Sequence, residues 1–200
     1  MEIRGMLVEE RAELIELLRD LSAEDWETPS LCAGWSVRDV VGHLLYDTIA
    51  PLTYGGVVVR CGFSIDRVNG LLVEKARALS TDRLIDMFEN AAGTLSRFGP
   101  ALVLADLFVH QQDIRRPLGR TRTIPADRLR RALEHPDPLT RPGRRSKGLR
   151  LVATDLDWAC GSGPEVRGRA EALALAVVGR TSVLDELEGD GVAELRRRCG

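Results

Sequence analysis

"ADLFVHQQDIRRPLG", residues 105–119, follows an apolar run from Ala101 to Ala105, and Leu107, Phe108 and Val109 extend that run. Read as a helix from Pro100 to Arg116, the stretch places Asp106 and His110 four residues apart, roughly 40° around the axis. Asp113 falls on the same stripe, one turn beyond His110. Pro100 suits a first helical turn and Pro117 stops the helix. A helix this apolar is buried, so other helices must surround it. An unpaired carboxylate in such a setting costs several kcal/mol, and a proton, a basic side chain or a metal ion must neutralise it.

Outward from this stretch, the first 116 residues read as helices. "LVEERAELIELLRD" (7–20) sets Leu7, Ala12, Leu14, Ile15, Leu17 and Leu18 on an apolar stripe. "SAED" (22–25) and "SVRD" (36–39) are capping boxes, a hydroxyl residue followed three places later by an acid. The second opens a helix "SVRDVVGHLLYDTIA" that stops before Pro51, and the Gly-containing "YGGVVVRCG" reads as a loop. Further helices are predicted over 64–78, 81–97 (capped by Ser80 or Thr81) and 100–115. Helices of this length with short connections suit an up-and-down four-helix bundle.

The tail has a different texture. Residues 119–147 are rich in Pro and Arg, with a short helix at 126–134. "GLRLVATDLDWACG" (148–161) alternates apolar and polar residues as one or two strands, with Leu149, Leu151 and Ala153 on one face. "EVRGRAEALALAVVGR" (165–180) reads as a helix ending at Gly179, and "TSVLDELEGDGVAELRRR" as two short pieces around "GDG". The chain is thus mainly α, with a helical bundle at 1–118, a Pro/Arg-rich linker at 119–147 and a small α/β domain at 148–200.

Composition bounds the function classes. At 44% hydrophobic and 4% aromatic residues, 200 residues can bury a core built of Leu, Val and Ala. No apolar run reaches the roughly 18–20 residues that span a bilayer, and the N-terminus lacks a signal-peptide layout. Cys32, Cys61, Cys160 and Cys199 form no CxxC pair and read as reduced thiols, so a cytoplasmic protein is expected. The formal charge of −2 hides an asymmetry, because 12 Arg/Lys stand against 3 Asp/Glu between Arg115 and Arg150. That stretch holds no Phe, Tyr or Trp for base stacking and no nucleic-acid reader motif, so a solvated linker docking on the acidic remainder is favoured over a nucleic-acid surface. His135, in "EHPDP", reads as exposed.

The other well-placed histidine is His43, in "VVGHLLYD", on the edge of the stripe of Val37, Val40, Val41 and Leu44. If its helix neighbours 100–116, then His43, Asp106 and His110 converge. Two imidazoles and a carboxylate are three ligands for a divalent ion with one position open. Asp39, Asp47 and Asp113 are then candidates to accept the second N–H of the imidazoles. The competing reading is an ordinary carboxylate–imidazole hydrogen bond. Cys32 reads as a small core residue, and no Ser-His-Asp order, Walker loop or GxGxxG turn is present.

"WETPSLCAGWSVRDVVGHLL" (26–45) resembles the signature of the mycothiol-dependent maleylpyruvate isomerase family, within the wider DinB-like group of metal-binding four-helix bundles. "DLFVHQQDIRRPLG" (106–119) resembles that family's second motif, and the segment from Gly148 onward is similar to its C-terminal region. The resemblance implies that His43, Asp106 and His110 are the metal ligands, with zinc as the ion and mycothiol as co-substrate. The family has glutamate where this chain has Asp106, so the shorter side chain draws a metal closer to its helix or binds through water. It further implies that a thiolate adds to an electrophilic carbon: in the isomerase to a double bond conjugated to a carbonyl, which rotates before the thiol is expelled, while in relatives the thiol stays attached. No protein nucleophile is required. Arg60, Arg67 and Arg180 are candidates to hold an anionic substrate or thiol.

Three functions follow: a metal-dependent, thiol-using isomerase or S-transferase, a non-catalytic metal- or ligand-binding bundle with a regulatory or stress role, and a nucleic-acid binder using residues 115–150. The first is preferred. Its partners are a small thiol and an electrophile, with a homodimer open and no membrane. Nothing outside the metal motif points to a dicarboxylate clamp.

Overall fold

The computed structural model describes residues 2–90, 93 and 95–200, in two compact units, Met1–Thr121 and Arg122–Gly200. The architecture is mainly helical with a small three-stranded sheet in the second unit, as the sequence predicts.

In the first unit, α1 (Ile3–Arg19) buries Met6, Leu7, Leu14, Leu17 and Leu18. Ala12, placed on that stripe by periodicity, is exposed, and Glu10 is buried instead, held by the Gln111 amide. The short α2 (Ala23–Glu27) and α3 (Val37–Leu44) each begin with the expected capping box. Ser22 and Asp25 exchange bonds at one, Ser36 and Asp39 at the other, satisfying backbone N–H groups that a helix start leaves open. A 3-10 turn, Leu45–Thr48, extends α3.

The expected loop after Pro51 is instead a helix, α4 (Pro51–Arg60), with Pro51 in its first turn. Proline pre-sets the helical φ, and the left-handed Gly62 and Phe63 end the segment. No residue of α4 is buried, so its two glycines meet no packing demand that would have flagged a helix. Next come α5 (Ile65–Arg77), capped by Ser64, and α6 (Thr81–Glu89), capped by Ser80. The helix expected over 81–97 ends at Glu89. Residues 91, 92 and 94 lie outside the described residues, and 95–98 form a turn. The last helix of the unit, α7 (Pro100–Arg115), is buried almost all round from Val103 to Ile114.

Packing follows from these faces. α3 lies against α5 and α7, and α1 against α6 and α7. Their shared core contains Leu14, Leu18, Trp26, Val40, Phe88 and Leu107. Gly42 permits the close approach of α3 and α5, because a Cβ there would lie 2.3 Å from the Ala76 Cβ. This contact sets the height of the next residue, His43.

In the second unit, residues 122–147 include α8 (Ala126–Glu134), a 3-10 turn (Pro138–Thr140) and α9 (Pro142–Ser146). α8 buries Leu129, Ala132 and Leu133 and packs on α10 (Ala170–Val177), while His135 is exposed as expected. β1 (Arg150–Ala153) is the central strand, antiparallel to β2 (Ala159–Gly161) and parallel to β3 (Glu165–Gly168). Leu149, Leu151 and Ala153 are buried together, as the alternation predicts. Residues 165–168, read from sequence as the start of a helix, form β3 instead. "EVRG" alternates too, and its Val166 and Gly168 point inward beside β1. A 3-10 helix (Thr181–Glu186) and α11 (Val192–Cys199) complete the unit. Among the described residues, no helix is long and apolar enough to cross a membrane.

Candidate metal centre

α3 and α7 bring His43, Asp106 and His110 together, and their candidate ligand atoms all lie within 4.8 Å of one another. Asp106 stands between the rings: Oδ1 is 3.3 Å from His110 Nε2 and Oδ2 is 3.6 Å from His43 Nε2. The two imidazoles meet edge to face with centroids 4.8 Å apart. Both histidines are buried and the Asp106 side chain keeps only 18% exposure, so the cluster is nearly enclosed.

The electrostatics are those of a charged knot. Burial pushes the Asp106 carboxyl up, but the neighbouring imidazoles outweigh it and hold the group far below the ordinary carboxylate range. Burial pulls His110 down, whereas Asp106, Asp113 and Cys32 raise it well above the usual imidazole value. Asp113 is buried and its Oδ2 accepts from His110 Nδ1 at 2.9 Å, which fixes the ring and turns Nε2 toward Asp106. The Cys32 thiol donates to the same oxygen at 3.1 Å. Cys32, His110 and Asp113 thus form a second grouping on the opposite ring nitrogen.

Three contributors escape sequence reasoning. The Tyr46 hydroxyl donates to Asp106 Oδ2 at 2.9 Å, and burial first and the Asp106 charge second push its ionisation well above the usual phenol value, so it stays a donor. Tyr54 on α4 shifts in the same direction for the same two reasons. The Trp35 and Tyr46 rings flank His43, each with its centroid 5.4 Å away. A signal existed for Tyr46, three residues after His43 and so on the same helix face.

The other predicted residues lie elsewhere. Asp39 takes a two-pronged contact from Arg77 and the Ser36 N–H, and Asp47 takes Arg11 and the Ser96 N–H. Neither supports an imidazole, because each has a stronger donor on another segment. His43 Nδ1 has no hydrogen-bond partner among the described residues. Arg60 and Arg67 are exposed on α4 and α5, and Arg180 is half-buried in the second unit.

The donor set fits a small divalent cation. Bonds of about 2.0–2.1 Å at tetrahedral angles put neighbouring ligand atoms roughly 3.3 Å apart. His110 Nε2 stands at that separation from Oδ1 and His43 Nε2 lies 3.6 Å from Oδ2, so one oxygen of Asp106 reaches each ring despite a side chain one methylene shorter than glutamate.

Fold and site define a helical bundle with a His–Asp–His cluster at its heart and a small α/β unit following it. Residues 7–49 match the family model described as the mycothiol maleylpyruvate isomerase N-terminal domain. That segment contains His43, whereas Asp106 and His110 lie beyond it. Two solved structures share the fold: a crystal structure of the mycothiol-dependent maleylpyruvate isomerase, 13% identical, and one of its histidine-to-alanine mutant, 15% identical. Each has a TM-score of 0.66, with 95% of this chain and 93% of the other covered. No curated protein sequence matches the chain.

Proposed function

We propose that this protein is a metal-dependent isomerase or S-transferase that uses a small thiol, mycothiol, on an electrophilic substrate. The observation carrying this reading is the convergence of His43, Asp106 and His110. These three residues would hold a divalent cation, and zinc, which takes two histidines and a carboxylate in catalytic sites, is the ion proposed. When bound there, such a cation stabilises a thiolate and so supplies a nucleophile at neutral pH.

The chain's own residues prepare that position. Asp113 holds the His110 ring through Nδ1, and Tyr46 holds one oxygen of Asp106. Trp35 and Tyr46 wall His43 with aromatic surface and keep bulk water from that side. The reaction needs no protein nucleophile: sulfur adds to the electrophilic carbon, then is expelled after bond rotation, or stays attached in a transferase. Arg60 and Arg67 are proposed to hold an anionic group of the substrate or thiol. Four free cysteines agree with a reducing cytoplasmic setting. We take residues 1–118 as the metal-binding part and 148–200 as the appended domain.

Metal analysis of the purified protein, paired with turnover of mycothiol and an electrophilic enone, tests this. About one equivalent of zinc is expected, lost in His43→Ala and His110→Ala together with turnover. Zinc retained in both variants would overturn the ligand set. Zinc bound with no thiol turnover would leave a metal-binding bundle.

A further inference from the structure

We propose that the second unit contains a binding cleft for a small phosphate-bearing ligand, formed by Arg141, Arg144, Arg145, Arg197 and Arg198. The cleft is about 480 Å³ and these five arginines line it together with Thr140 and Gly200. Glu194 takes both Arg197 and Arg198, so one side-chain carboxylate answers five guanidinium groups. Arg141 and Arg144 are exposed and have no acidic partner among the described residues.

The cationic wall is built rather than merely solvated. Arg145 Nη1 donates to the carbonyls of Thr140 and Val177, and its Nε is buried without a partner. Its guanidinium lies over Gly179, where a Cβ would sit 2.7 Å from Nη2, and Gly179 has φ +98°. Any larger residue there would displace the arginine. Arg198 Nη1 is fixed by the carbonyls of Arg145 and Lys147 at 2.7 and 2.6 Å. Arg141 holds a left-handed backbone (φ 56°, ψ 50°), rare outside glycine, at the turn into α9.

The chemistry selects the ligand. One planar fork satisfies a carboxylate, whereas several forks converging on one cleft match a group with many oxygens and more than one charge, which is a phosphate or pyrophosphate. The volume lies within the range of small-molecule sites. No aromatic side chain lines the cleft, so it lacks the stacking platform of a single-stranded nucleic-acid groove.

Calorimetric titration of the full chain with sodium pyrophosphate and with inorganic phosphate, at low ionic strength, provides the test. Pyrophosphate is expected to bind about one equivalent, more tightly than phosphate, and Arg141→Gln/Arg144→Gln to weaken it at least tenfold. Both side chains are exposed, and an unchanged thermal melt of the double variant checks that it folds. Arg83→Gln, on exposed α6 surface, should bind as wild type does. His110→Ala should too, which separates this cleft from the candidate metal centre. No pyrophosphate binding at millimolar concentration, equal weakening by Arg83→Gln, or loss in His110→Ala would each overturn the proposal. So would tight binding of a 12-base-pair duplex that pyrophosphate does not displace.

Discussion

Asp113 and Asp39 are both buried carboxylates near α3 and α7, yet they do different work. Asp113 was legible from spacing: three residues after His110 on one helix, it meets Nδ1. Asp39 sits four residues before His43, and spacing equally suggested an imidazole contact. The structure spends it on the first turn of α3 and on Arg77, whose guanidinium grips both oxygens at 2.7 Å. Sequence shows which acids share a stripe with a histidine, but not which cation another helix delivers. Burial pushes the Asp39 carboxyl up, but the bonds from Arg77 and Ser36 outweigh it and hold the group below the ordinary range. The folded state therefore binds this proton less readily than the unfolded chain. The stabilisation is complete above the unfolded value of about 3.9 and is lost as pH falls through the lower folded value. Asp39→Ala should cost about 1–2 kcal/mol at pH 7, the worth of a cap bond plus a partly exposed ion pair. Urea unfolding of both proteins should show that gap closing below about pH 4. A gap that stays constant down to pH 3 would mean the carboxylate's charge plays no part.

At the level of elements, the caps were the most readable feature, because a hydroxyl and an acid three apart satisfy a helix start whatever the tertiary setting. The misreadings have one cause in common: local pattern was silent about neighbours. α4 carries two glycines and buries nothing, and β3 is a four-residue strand whose partner β1 lies fifteen residues upstream in register. Gly42 shows the same dependence from the other side. A mid-helix glycine weakens a helix by about 1 kcal/mol relative to alanine, so on local grounds Gly42→Ala should stabilise α3. The Ala76 methyl reverses that expectation, since the new Cβ would meet it at 2.3 Å. Overpacking of this kind costs typically 1–3 kcal/mol, so a net loss of about 1–2 kcal/mol is expected. Adding Ala76→Gly should recover part of it, and a double-mutant cycle in denaturant unfolding reads the coupling directly. Two additive losses would mean that α3 and α5 do not meet at this point.

For the molecule as a whole, the sequence made three candidate ligand residues visible but not their meeting, since His43 and Asp106 belong to helices separated by α4, α5 and α6. The family resemblance, together with the assumption that α3 and α7 are neighbours, supplied the convergence, and the packing of α3 on α7 provides it physically. All three side chains, and the residues that brace them, come from the first unit. A ligand that binds only the folded state adds stability by mass action, about 2.7 kcal/mol at a hundred times its dissociation constant. A cation held by α3 and α7 should therefore suppress local opening of those helices and leave the second unit untouched. Hydrogen–deuterium exchange of the metal-free protein, with and without added zinc, should show slowing over 37–48 and 103–115, with the amides of β1 and α10 unchanged. His110→Ala should abolish the slowing. Protection spread evenly over both units would instead indicate that zinc acts on the chain at large and not through these three side chains.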